Sequence, residues 1–184
     1  PGNSWFTEML LKGQMPLWNP YLNCGVPGIA NLREGLFYPA TLIFRFFETS
    51  FAYQIILVLH YFLAGLCGYL LARSVGLGRT GGLLFSTVWS FNGFLFLHSA
   101  YYTNFIGASL VPLVFIFLTA RSLGIVSRAL LAGTAISFQF LSGHPFFAYG
   151  TIILGGAYSI WRAPRKPFPP GYLAGLAFQW SVTL

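Results

Sequence analysis

The sequence predicts an all-α polytopic integral membrane protein: about six transmembrane helices plus an extracytoplasmic loop with short interfacial helices. Three observations lead there. Apolar AVILMFWYC residues make up 56% of the 184 residues and charged residues only 7%, where an ordinary soluble domain has roughly 25% charged. From Phe51 onward, apolar runs follow one another with short interruptions, so the solvent that matters is the bilayer. Lys and Arg between those runs occur in alternate loops only.

The elements follow in order. Pro1 to Leu11 places Trp5, Phe6, Met9, Leu10 and Leu11 around Glu8 and reads as a short amphipathic turn at the interface. Gly13 to Pro39 carries Pro16, Pro20, Pro27 and Pro39 with Gly13, Gly25, Gly28 and Gly35. Proline removes backbone donors and glycine favours left-handed turns, so this stretch is an ordered loop and no span. Leu36 to Phe47 is apolar but too short to cross, and reads as an interfacial or re-entrant helix. Spans are expected over Phe51–Ala72, Gly81–Leu97, Phe105–Ala120, Ala129–Leu141, Pro145–Trp161 and Tyr172–Leu184, with a kink at Pro112. Small residues inside them, such as Ala64 with Gly68 and Ala129 with Gly133, allow close helix approach. The chain divides into an extracytoplasmic region, 1–50, and a transmembrane bundle, 51–184, expected to be truncated at both ends.

Arg73 and Arg79, then Arg121 and Arg128, then Arg162, Arg165 and Lys166 fill one set of loops, whereas Ser99–Asn104 and Ser142–His144 hold no Lys or Arg. The positive-inside rule makes the first set cytoplasmic and residues 1–50 extracytoplasmic, with a further span expected before Pro1. The formal charge of +7 is scattered singly, with no basic patch interleaved with aromatics, so nucleic acid is excluded as a partner. Cys24 and Cys67 fall near opposite faces in this topology and form no disulfide framework. The three histidines and three glutamates show no ligand spacing, so no metal site is predicted, and the cofactor stays unknown.

This topology gathers three polar elements on the outer face: the Gly13–Pro39 loop, the His98–Asn104 turn and the Ser142–Pro145 turn. Glu34 beside Arg33 is the only adjacent acid and base in the loop; it is either a solvated pair or a carboxylate that works on a hydroxyl. His144 is a proton-transfer or phosphate-binding candidate, or a loop histidine bonded to backbone. Trp18, Asn19 and Tyr21, held between prolines, and Asn31 are candidates to touch a substrate or to scaffold the loop. His60 lies mid-span, where an ionisable group is either functional or a neutral ring bonded to a neighbouring helix.

The segments PLWNPY (Pro16 to Tyr21), GVP (Gly25 to Pro27), AN (Ala30 and Asn31) and FYP (Phe37 to Pro39) resemble the first outer loop of YfhO-type bacterial membrane proteins. SGHP, from Ser142 to Pro145, is similar to the same family, and the likeness runs over essentially the whole chain. It implies a C-type glycosyltransferase fold in the bacterial cytoplasmic (inner) membrane. The implied donor is a polyprenyl-phosphate-linked sugar and the implied acceptor an outer-surface or cell-envelope molecule. It further implies an acid early in the outer loop. The chain has no Asp, so that acid is expected upstream of Pro1. Within the chain, Glu34 is then the catalytic candidate, and Trp18, Asn19, Tyr21, Asn31, Arg33 and His144 are the substrate-binding candidates. Two rivals remain: a transporter or lipid flippase, which needs polar groups along a mid-membrane path, and a non-catalytic membrane scaffold.

Overall fold

The computed structural model describes residues 5, 8–9, 12–21, 24–30, 35–120 and 122–162. Asn31, Arg33, Glu34 and the expected span 172–184 lie outside the described residues.

The described chain is mostly helical. The long helix α1 (Thr49–Ser74) has 26 residues, about 39 Å at 1.5 Å per residue, enough to cross the hydrocarbon core. Ala52, Ile56, His60, Ala64 and Gly68 are buried at a spacing of four, which makes one face. Val58, Phe62, Leu66 and Leu70 are exposed on the other. The helix ends in a left-handed Gly76 (φ +98°), with Leu77 N bonded to Ala72 O and Gly76 N to Arg73 O. That pair of bonds is a Schellman closure, which caps the orphan carbonyls.

The next two membrane-length helices are both broken. Where one span was expected over 81–97, α2 (Arg79–Ser90) stops at Phe91 and α3 (Gly93–His98) restarts after Asn92. Asn92 joins the halves: its Oδ1 accepts from Leu95 N at 2.8 Å and its Nδ2 donates to Trp89 O at 2.6 Å. Asn92→Ala therefore loses an N-cap, and a fall in stability of about 0.5–2 kcal/mol is expected in a thermal-shift measurement.

The kink expected at Pro112 is instead a break two residues earlier. Here α4 (Tyr102–Ser109) ends at Leu110, and α5 (Val111–Thr119) starts with Pro112 in its first turn. Proline has no N–H for the carbonyl four residues back, and its ring crowds that carbonyl. Ala108 O accepts from Leu110 N instead, Ile106 O from Ser109 Oγ, and Gly107 O from Gln139 Nε2 at 3.0 Å. Gln139 belongs to α6 (Ile125–Leu141), which is followed by α7 (Pro145–Trp161). A side chain from a neighbouring helix thus satisfies the backbone that the break frees.

Three helical stretches, Thr49–Ser74, Arg79–His98 and Tyr102–Thr119, are long and apolar enough to cross a membrane, and Ile125–Leu141 is apolar but shorter. Side-chain bonds tie the helix ends together. At one end Ser74 Oγ and Thr119 Oγ1 lie 2.8 Å apart, near Arg73 and Arg79. At the other end the Tyr53 hydroxyl donates to the Ser99 carbonyl. For helices of membrane-crossing length and composition, close approach at small residues adds packing to these bonds. Gly68 fits this: a Cβ there would sit 3.4 Å from Ser86 Cα.

The loop 13–39 contains a structure that its prolines concealed, a two-stranded antiparallel hairpin. Strand β1 (Trp18–Asn19) pairs with β2 (Val26–Pro27), Trp18 opposite Pro27. Asn19 Oδ1 accepts from Tyr21 N, which starts the turn, and Cys24 (φ +62°) and Gly25 (φ +114°) complete it. The expected helix over 36–47 is a 3-10 helix, Pro39–Arg45. Glu8 forms an exposed ion pair with Lys12 at 2.6 Å, a solvated contact that carries little stability.

Candidate functional site: the seat of the loop 13–39

The segment that seats the loop is Phe37-Tyr38-Pro39. Gly35 adopts φ +61° and accepts from Tyr38 N at 3.1 Å, and the Thr41 hydroxyl closes on Tyr38 O at 2.5 Å. Pro39, in the first turn of the 3-10 helix, fixes φ where the backbone N–H would be unsatisfied anyway. These constraints send the Tyr38 ring into the bundle, where it is 7% exposed. Its hydroxyl lies 2.8 Å from His60 Nε2, and His60 Nδ1 lies 2.8 Å from Ile56 O. A carbonyl only accepts, so Nδ1 carries the hydrogen and Nε2 of a neutral ring accepts from Tyr38.

Burial pushes the Tyr38 hydroxyl up to about 12, so it keeps the proton it donates. Its ordinary value is 10.0. A raised folded-state value contributes stability that is fully present below about pH 10 and is lost as pH rises through about 12. An alkaline melt should therefore show wild type losing stability above pH 10 relative to Tyr38→Phe; parallel curves would contradict the buried, protonated hydroxyl.

Aromatic rings close the seat. Tyr38 meets Phe138 edge-on at 6.4 Å, His60 meets Phe105 at 6.4 Å, and Phe44 packs on Tyr102 at 5.9 Å. Gly35 lies so close to the turn after α6 that an added Cβ would sit 2.6 Å from Ser142 O. Next to this contact, His98 stacks on Phe94 at 4.0 Å, Phe94 meets Phe147 at 5.8 Å, and His144 lies 5.5 Å from Phe147. One aromatic cluster therefore joins the two rim histidines.

No family model, curated protein or solved structure matches the chain. Among the described residues, no group of three His, Cys, Asp or Glu could hold a metal ion.

The sequence candidates fall in three places. Trp18, Asn19 and Tyr21 stand on the hairpin, with Asn19 buried and Trp18 and Tyr21 exposed; a Cβ on Gly25 would strike the Trp18 ring, so glycine is needed there. His144 stands on the rim as the N-cap of α7. Asn31, Arg33 and Glu34 lie outside the described residues, and the next residue, Gly35, is the one that touches Ser142. His60 is bonded to its own helix and to a loop tyrosine, where a neighbouring helix had been one expectation. Tyr38 enters the sequence reading only within the Phe37–Pro39 motif, and its bond to His60 was not foreseen. The available signal was an apolar, rigid Phe-Tyr-Pro triplet inside a polar loop. Gln139 was visible as a polar residue within a span, but its role at the Pro112 break was not.

Proposed function

We propose that the protein is a membrane glycosyltransferase that moves a sugar from a polyprenyl phosphate to an outer-surface or cell-envelope acceptor, at the outer face of the bacterial cytoplasmic membrane. One observation carries this reading: of two separated segments that resemble YfhO-type proteins, Ser142-Gly-His-Pro145 lies against Gly35, two residues before Phe37-Tyr38-Pro39, so close that a Cβ on Gly35 would sit 2.6 Å from Ser142 O. The chemistry needs a carboxylate to deprotonate or orient an acceptor hydroxyl, and cationic or donor groups to stabilise the leaving phosphate. Glu34 takes the first role, Arg33 and His144 the second, and Trp18, Asn19, Tyr21 and Asn31 contact sugar or acceptor.

The test is sugar transfer by the full-length protein in proteoliposomes supplied with a labelled polyprenyl-phosphate sugar. Glu34→Gln is expected to lower kcat by about 100-fold or more, the usual contribution of a general base. Unchanged transfer removes Glu34 from the mechanism, and no transfer by wild type with any polyprenyl-phosphate sugar overturns the reading.

A transporter or flippase is the second reading, favoured by the broken helices at Asn92 and Leu110. Discontinuous helices are where transporters place their binding sites. Movement of an intact labelled lipid-linked sugar across the same vesicles, without cleavage, would select it.

A further inference from the structure

The end of the bundle opposite the loop seat collects positive charge that the chain does not balance. Helices α6 and α7 run antiparallel from the Ser142–His144 turn and share one apolar core, Ala132, Ala135 and Ile136 with Ala148 and Ile152. Arg128 and Tyr158 stand equally far from that turn, about 20 Å along each helix, which puts them at one level. Arg162 folds back onto this level. Its Nη1 donates to the Tyr158 hydroxyl at 2.5 Å, and its guanidinium lies over the Tyr158 ring, 5.7 Å from the centroid. Arg128 Nε is withdrawn from water and meets no acceptor among the described residues. A buried N–H without an acceptor is costly, and a guanidinium is always charged.

No carboxylate answers these charges. The chain has three acidic residues, all before Thr49. Glu48 caps α1 at the Tyr53 end, Glu8 pairs with Lys12, and Glu34 precedes the Gly35 that lies against Ser142. The positive-inside rule asks only that arginines remain on one side. It does not ask for a buried Nε or for Arg162 to turn inward, so the counter-charge comes from outside the chain.

We propose that Arg128, Tyr158 and Arg162 hold the phosphate of an anionic phospholipid headgroup. The planar guanidinium suits phosphate oxygens, which it can meet in pairs. Tyr158 accepts from Arg162 and keeps its own hydrogen for a further oxygen. Free phosphate would make the same bonds, but the flank decides for a lipid. Ile160 and Trp161 are 72% and 77% exposed beside Arg162, and a tryptophan next to a basic residue marks headgroup depth. The assignment does not depend on the glycosyltransferase reading.

The test is native mass spectrometry of the full-length protein titrated with phosphatidylglycerol or phosphatidylcholine, with and without excess inorganic phosphate. Phosphatidylglycerol is expected to bind more tightly by about fivefold for each arginine it meets, roughly 25-fold for two. Arg162→Gln, at the C-cap of α7, and Arg128→Gln should each lose about fivefold of that preference. Arg79→Gln, exposed at the start of α2, should keep all of it. An equal loss in Arg79→Gln shows diffuse attraction to a basic surface and overturns the site. Displacement of phosphatidylglycerol by inorganic phosphate overturns the lipid assignment. Equal binding of the two lipids by wild type overturns the proposal, whether or not the Arg128 variant folds.

Discussion

Gly35→Ala is expected to destabilise the protein by about 2–4 kcal/mol, the sum of a backbone penalty and a collision. Gly35 has φ +61°, where a Cβ costs about 1–2 kcal/mol for any L residue. The new methyl would also stand 2.6 Å from Ser142 O, a backbone atom that cannot rotate away. Gly13 is the matched control: its φ is +69° and nothing lies within 4 Å of an added Cβ. Gly13→Ala should therefore show the backbone penalty alone, about 1–2 kcal/mol. Thermal unfolding in detergent separates the two, and limited proteolysis between 35 and 48 should accelerate only in the Gly35 variant. Equal losses would mean that Gly35 does not seat against Ser142.

Tyr38→Phe is expected to cost about 1–3 kcal/mol, because it leaves His60 Nε2 a buried acceptor with no donor. His60→Leu leaves the Tyr38 hydroxyl stranded and should cost a similar amount. The double variant Tyr38→Phe with His60→Leu removes both polar groups, and its loss should be smaller than the sum of the single losses. Interhelical hydrogen bonds in membranes average only about 0.6 kcal/mol, so a coupling above that value would show that the stranded group sets the cost. Additive losses would place Tyr38 and His60 apart.

How much of this was legible in the sequence depended on the range of the interaction. The ends of α1 and α7 were readable within two residues or better, because apolar composition and the bounding Gly76 and Pro145 act locally. The Pro112 break was misplaced by two residues, since the missing donor is felt at the carbonyl of Ala108, a turn earlier. The Asn92 break went unread in an apolar run, although Asn before Gly at a helix start is a capping signal. The hairpin strands have two residues each, too short for any alternation to register. The partnership of Tyr38 and His60 spans 22 residues and two kinds of structure, and no periodicity reports such a bond. Leu36–Phe47 has two sides that its apolar composition does not distinguish: Tyr38 and Phe44 are buried, Leu42 and Phe46 exposed.

The central claim is that the outer loop and the turns at 98–104 and 142–145 share one side of the membrane. The most direct measurement is labelling of intact cells with a membrane-impermeant thiol reagent. It would be applied to Cys24, which is exposed, and, in a background without Cys24, to cysteines at Phe146 and Gly78, which are exposed at opposite ends of the bundle. The account predicts that Cys24 and Phe146→Cys react before permeabilisation and Gly78→Cys only after it. Reaction of Cys24 together with Gly78→Cys, with Phe146→Cys protected, would contradict it.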